Sequence, residues 1–147
     1  MSEEIAGLIE RIRKEQKNLH IAEMKLLQAQ INPHFLYNTL DSIVWMAEDG
    51  DNQKVVEMTS DLSDFFRTVL SGGSDFIPIE EEKRHIESYL KIQKIRYEDI
   101  LDYRIVIEEQ ILHKRVLKML LQPIVENALY HGIKNKRGGG TIVIRGY

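Results

Sequence analysis

Counting every 3.5 residues from Ile5 picks out Ile5, Leu8, Ile12, Glu15, Leu19, Ala22, Leu26, Ala29, Pro33, Leu36, Leu40, Ile43 and Ala47, a row with one charged member. No other feature of the chain constrains its fold as strongly. An apolar seam of this period belongs to helices that pair along their length. If continuous, the helix would reach about 70 Å at ~1.5 Å per residue, more than a small domain can bury. A parallel homodimer follows as the expectation. Pro33 interrupts the pattern: lacking an N–H, it is expected to bend the long helix there. Pro33 falls on the seam itself, so His34 and Asn38 fall outside it, one turn apart on one side. His34 is therefore expected to face solvent.

Gly50-Asp-Asn52 ends this helix. A second amphipathic one follows, with Val55, Met58, Leu62, Phe65, Phe66 and Val69 at spacings of three and four. Two such helices make a hairpin, and two hairpins make a dimeric four-helix bundle. Ser71-Gly-Gly-Ser74 reads as a linker, dividing the chain into residues 1–74 and 75–147. Beyond it, Pro78 and Glu80-Glu-Glu82 open a third helix with acidic residues at its positive end. Its expected inner stripe is Ile86, Tyr89, Leu90 and Gln93. Leu101–Ile107 alternates and is rich in β-branched residues, so it reads as a strand. A fourth helix is expected from about Lys114 to Gly132, with Pro123 either bending it or opening its main part. Gly138-Gly-Gly140 reads as a hairpin turn, leading into a strand over Thr141–Arg145. The fold class is thus mainly α with a small α+β part.

The totals exclude several functions. A net charge of −3 offers no basic field for nucleic acid. The absence of Cys removes disulfides and thiolate metal sites and fits a reducing compartment. No apolar run approaches the roughly 20 residues of a membrane span. Of the five histidines, His20, His85 and His113 sit among charged residues without metal spacing and read as surface groups. His34 has amides at minus and plus four, Gln30 and Asn38, which suit an imidazole or a phosphoryl oxygen.

Two longer stretches carry a resemblance. Leu26-Leu-Gln-Ala-Gln-Ile-Asn-Pro-His-Phe-Leu-Tyr-Asn-Thr-Leu-Asp-Ser-Ile43 resembles the phosphoacceptor box of sensor histidine kinases of the LytS/YesM type. Leu120-Leu-Gln-Pro-Ile-Val-Glu-Asn-Ala-Leu-Tyr-His-Gly132 resembles the N-box of the same family's ATP-binding domain. The connecting Tyr89-Leu-Lys-Ile-Gln-Lys-Ile-Arg-Tyr97 is also similar, and the motifs stand in the family's order.

The resemblance implies a two-component kinase that uses ATP and Mg²⁺. His34 would take the γ-phosphoryl group and pass it to an aspartate of a response regulator. Such a transfer depends on in-line positioning more than on covalent help. Phe35 stands where other classes of histidine kinase place an acidic ring-orienting residue, leaving Gln30 as the candidate. Asn38 occupies the place of a phosphatase residue. Asn127 would ligate Mg²⁺ through its amide oxygen. His131 would touch phosphate, Tyr130 would pack near the nucleotide, and Glu126 is a further candidate for water or metal.

The Asp-x-Gly-x-Gly box and the second Gly-rich box of the family are not found in the sequence. An incomplete GHKL-type α/β sandwich is therefore expected, with weak nucleotide binding by this chain alone. The expected parent is anchored in a membrane by a sensor region, with this part on the cytoplasmic side. Two other readings stay open on the residues: a non-catalytic dimeric coiled-coil adaptor, and a phosphotransfer domain served by a separate kinase.

Overall fold

A computed structural model describes residues 2–30, 32–70 and 75–147, with the side chains of 20–30 left out. The expected linker Ser71–Ser74 and the side chains of His20 and Gln30 lie outside the described residues. The chain divides into two compact units, residues 1–36 and 37–147.

In the first unit, helix α1 covers Ser2–Gln30. Ile5, Leu8, Ile12 and Leu19 stand on it at 53–61% exposure, an apolar row that the chain itself leaves uncovered. Helix α2 covers Pro33–Glu48. The expectation of one long helix bent at Pro33 is corrected here. Asn32 is non-helical, and its side-chain oxygen accepts the N–H of His34 at 3.0 Å. The Asn32 carbonyl accepts the N–H of Leu36 at 3.2 Å, the first helical bond. Asn32 thus caps a new helix, and Pro33 takes the first helical position, where no N–H is needed and its fixed φ suits the helix.

The second unit begins within α2. Gly50, at φ +74°, turns the chain into α3, Asn52–Leu70. The short strand β1, Phe76–Pro78, leads directly into α4, Ile79–Arg96. Then come β2, Leu101–Ile107, a 3₁₀ turn at Glu109–Ile111, and β3, Arg115–Leu117. Helix α5, Leu121–Asn127, continues into a π-helical turn at Ala128–Ile133, and β4 is Gly140–Gly146. Among the described residues helix predominates, with two small two-stranded sheets.

The core lies between α3 and α4. Met58, Leu62, Phe65 and Val69 of α3 are buried, as are Ile86, Tyr89, Leu90 and Gln93 of α4, the stripe expected from spacing. Each large apolar side chain removed from water in this way stabilises by about 1.5–3 kcal/mol. Strand β2 keeps its expected bounds. It pairs in parallel with β4, from Leu101 opposite Gly140 to Ile107 opposite Gly146.

Two expectations fail beyond β2. Residues 115–117 are a strand, antiparallel to β1 with Val116 opposite Ile77, and not the start of a helix. Met119, at φ +63°, then breaks the backbone before α5. Pro123 falls in the first turn of α5, where the missing N–H is harmless. Gly138–Gly140 is a tight turn but not a hairpin, because β4 joins β2 in parallel. Gly139 has φ +72°, and a Cβ there would lie 2.1 Å from the carbonyl oxygen of Ile100, so only glycine fits.

Candidate functional site

His34 is the second residue of α2 and is exposed, while Phe35 beside it is 2% exposed. The capped start of the helix fixes the His34 backbone and turns its ring outward. Asn38 is half-buried. With Asp41, Ser42, Trp45, Asp49 and Arg96 it lines an open cleft of about 630 Å³. Ser42 donates its hydroxyl to the Asn38 carbonyl at 2.9 Å, which ties that turn of α2 together.

The segment 119–133 is built differently, held from beneath by one face of α4. Glu82, 2% exposed, accepts the N–H of Met119 at 3.1 Å with one oxygen and that of Leu121 at 3.2 Å with the other. It thereby satisfies donors at the helix start and fixes the left-handed turn at Met119. One turn on, His85 Nε2 meets Gln122 Oε1 at 2.7 Å, and the Gln122 amide donates to Glu126 at 3.0 Å. Two turns further, the Gln93 amide nitrogen donates to the phenol oxygens of both Tyr89 and Tyr130, at 3.0 and 3.1 Å. Residues 82, 85, 89 and 93 share one side of α4, so a single helix face sets the position of the whole segment.

Burial tunes two of these groups. His85 is fully buried and stacked on Phe65, with centroids 4.8 Å apart and planes at 23°. Desolvation holds its pKa below the usual imidazole value, against the Gln122 hydrogen bond, the Glu82 charge and the Phe65 backbone, which favour the charged ring. The reading of His85 as a surface residue is therefore wrong. Tyr89 has its phenol pKa raised, chiefly by burial and then by Tyr130.

The four residues expected at the nucleotide fall into two pairs. Asn127 and His131 are exposed. Glu126 and Tyr130 are half-buried, with one Glu126 oxygen and the Tyr130 hydroxyl turned toward partners that α4 holds. Lys134 stands over the Tyr130 ring at 5.8 Å, which leaves that ring a cation-facing surface. The π turn begins directly after Asn127, where the widened helix shifts the side chains that follow. Glu82, His85, Gln93 and Gln122 position this segment and were not singled out as site residues. Their signal is weak in one sequence: polar groups three or four apart on a helix whose other face is also polar. Among the described residues no cluster of His, Asp or Glu could hold a metal ion by itself, and no helix is long and apolar enough to cross a membrane.

The structure thus shows an outward histidine at a capped helix start and an asparagine on a segment fixed by a neighbouring helix. The family model described as histidine kinase matches residues 22–101, and the chain belongs to the histidine kinase family. It is 35% identical over 134 residues to the sensor histidine kinase YesM of Bacillus subtilis, covering 91% of this chain and 23% of that protein. It is 36% identical over 140 residues to the sensor histidine kinase BtsS of Escherichia coli strain K12, covering 95% and 24%. To the sensor protein LytS of Streptococcus mutans it is 39% identical over 137 residues, covering 90% and 23%. The chain spans about a quarter of the length of these relatives.

Proposed function

We propose that this chain is the phosphoacceptor region and the opening part of the ATP-binding region of a two-component sensor kinase, divided near residue 74. One observation carries the reading: in a member of the histidine kinase family, His34 is exposed on a helix start fixed by Asn32 and Pro33. A nitrogen lone pair of the neutral His34 ring attacks the γ-phosphorus of ATP. The P–N bond forms as ADP leaves with the bridging oxygen and its electron pair, and the ring releases its remaining N–H proton. A response-regulator aspartate oxygen then attacks the same phosphorus; the P–N bond breaks with its electron pair returning to the ring nitrogen, and the ring takes up one proton to become neutral again.

Asn127 supplies a neutral oxygen to the Mg²⁺ that ATP already carries, the hard ligand such an ion takes. His131, Tyr130 and Glu126 act around the phosphates and the nucleotide. Asn38 orients water for dephosphorylating the regulator, and Gln30 orients the His34 ring. The exposed row on α1 supports a homodimer, as do Leu40, Val44 and Trp45 of α2 at 44–76% exposure, which a four-helix bundle would cover. The remainder of a GHKL-type sandwich and a membrane sensor region belong to the parent protein, with this part cytoplasmic.

The test incubates the chain with labelled ATP and an active intact kinase of the same type. Acid-labile, base-stable label on His34, lost in His34→Ala, is the expected result. An unlabelled His34 while the intact kinase labels itself would overturn the assignment.

A further inference from the structure

The line His85–Gln122–Glu126 runs from the core to the rim of the nucleotide segment, and phosphoryl transfer as described makes no use of its buried end. Its polarity follows from chemistry. An ionised carboxylate only accepts, so Gln122 presents its NH₂ to Glu126 and its carbonyl to His85. That carbonyl also only accepts, so the proton of the neutral ring sits on Nε2. Nδ1 keeps its lone pair and is buried with no hydrogen bond of full geometry; the Phe65 backbone, which also favours a protonated ring, competes less well than the 2.7 Å contact of Nε2 with Gln122. The charge of a half-exposed side chain, adjacent in sequence to Asn127, thereby dictates the tautomer of a ring with 0% exposure. On its far side this ring lies flat against Phe65 of α3.

We propose that His85 is a positioning residue at the inner end of a polarity relay. The charge facing Gln122 at residue 126 sets the orientation of the Gln122 amide and the proton position on His85. Through the Phe65 stack, the same line links the nucleotide segment to α3. Coupling of this kind is reciprocal, so a group bound beside Glu126 is sensed at His85, and a shift of Phe65 is sensed at Glu126. The relay deepens the reading of residues 120–132 as nucleotide-binding. It depends on that reading only for its natural input, Mg²⁺-ATP.

The experiment uses the whole 147-residue chain with ¹⁵N-labelled histidine and reads the ring nitrogens of His85 by long-range proton–nitrogen correlation. In the parent, the Nε2–H form should exceed the Nδ1–H form roughly tenfold or more, since the other form sets two lone pairs against each other. Glu126→Lys replaces an acceptor with a donor at a half-exposed position that tolerates the change. The Gln122 amide then turns over, and the Nε2–H preference should be lost or reversed. In a Gln122→Met background the same Glu126→Lys change should leave the ring unaltered. An unchanged Nε2–H pattern in Glu126→Lys, or a parent ring protonated on Nδ1, overturns the relay. Titrating Mg²⁺-ATP into the parent then separates the two readings. Ring shifts that vanish in Gln122→Met identify nucleotide as the input. An intact tautomer response with no nucleotide effect leaves the relay standing without nucleotide as its input in this chain.

Discussion

Glu82→Gln tests the claim that one helix face positions the segment 119–133. The carboxylate accepts two backbone N–H groups, one with each oxygen. Glutamine keeps the size but offers one acceptor oxygen, and its NH₂ must then face one of the two N–H donors. One charge-assisted bond becomes neutral and the other becomes a buried donor–donor contact. At about 1–2 kcal/mol for the first and about 1–3 for the second, the sum is roughly 2–5 kcal/mol. For a chain of this size that lowers the unfolding midpoint by roughly 5–15 °C. Glu80→Gln is the control. It removes a charge from the same helix turn, but from an exposed residue in a 3.9 Å surface pair with Arg84, so it should cost no more than about 1 kcal/mol. Thermal unfolding followed by far-ultraviolet circular dichroism gives the difference. Amide hydrogen exchange should show Met119 and Leu121 losing protection in Glu82→Gln only. If the two variants melted together and both amides stayed protected, the grip of α4 on this segment would have to be abandoned.

Three further outcomes are expected. The folded His85 ring resists protonation, so above about pH 6.5 neither state carries its proton and no penalty arises. As pH falls below that value the unfolded chain takes a proton that the folded one refuses, and stability drops. His85→Gln should remove a slope of up to about 1.4 kcal/mol per pH unit from the melting profile between pH 7.5 and 5.5, and equal slopes would contradict the burial argument. Asn32→Ala should cost the start of α2 about 1 kcal/mol, whereas Pro33→Ala should change it by less; the reverse order in urea unfolding would restore a helix bent at Pro33. Gly139→Ala should destabilise by more than about 2 kcal/mol, because its Cβ meets the Ile100 carbonyl and its φ is positive; a neutral result by chemical denaturation would refute that packing.

Periodicity found what local pattern determines. The inner stripe of α4 and the strand Leu101–Ile107 were legible because burial there follows the 3.6 and 2.0 periods of helix and strand. The exposed position of His34 was legible as well, although through a continuous helix that does not exist. Pro33 was read by what it forbids inside a helix, while Asn32 beside it carried the signal for a helix start. Lys114-Arg-Val-Leu-Lys-Met-Leu120 has a helical composition, yet pairing with the distant Phe76–Pro78 makes Arg115–Leu117 extended, with Val116 opposite Ile77. His85 was read as a surface group, and Glu82 only as an acidic residue at a helix start, for a similar reason. Their burial is created by a segment 37 residues downstream folding back across them, and no window along the chain contains both. The family motifs pointed to Asn127 and its neighbours, but the groups that hold them lie on α4, outside either motif.

The contact of Gly139 with Ile100, beside the Gly140-to-Ile100 hydrogen bond of 2.9 Å, pins together the two ends of the stretch 100–139, β2 included. That excursion is a noose drawn shut at its neck. Length added at its exposed stretch around Lys134–Arg137 would be absorbed inside the noose, and the pairing of β2 with β4 would keep its register.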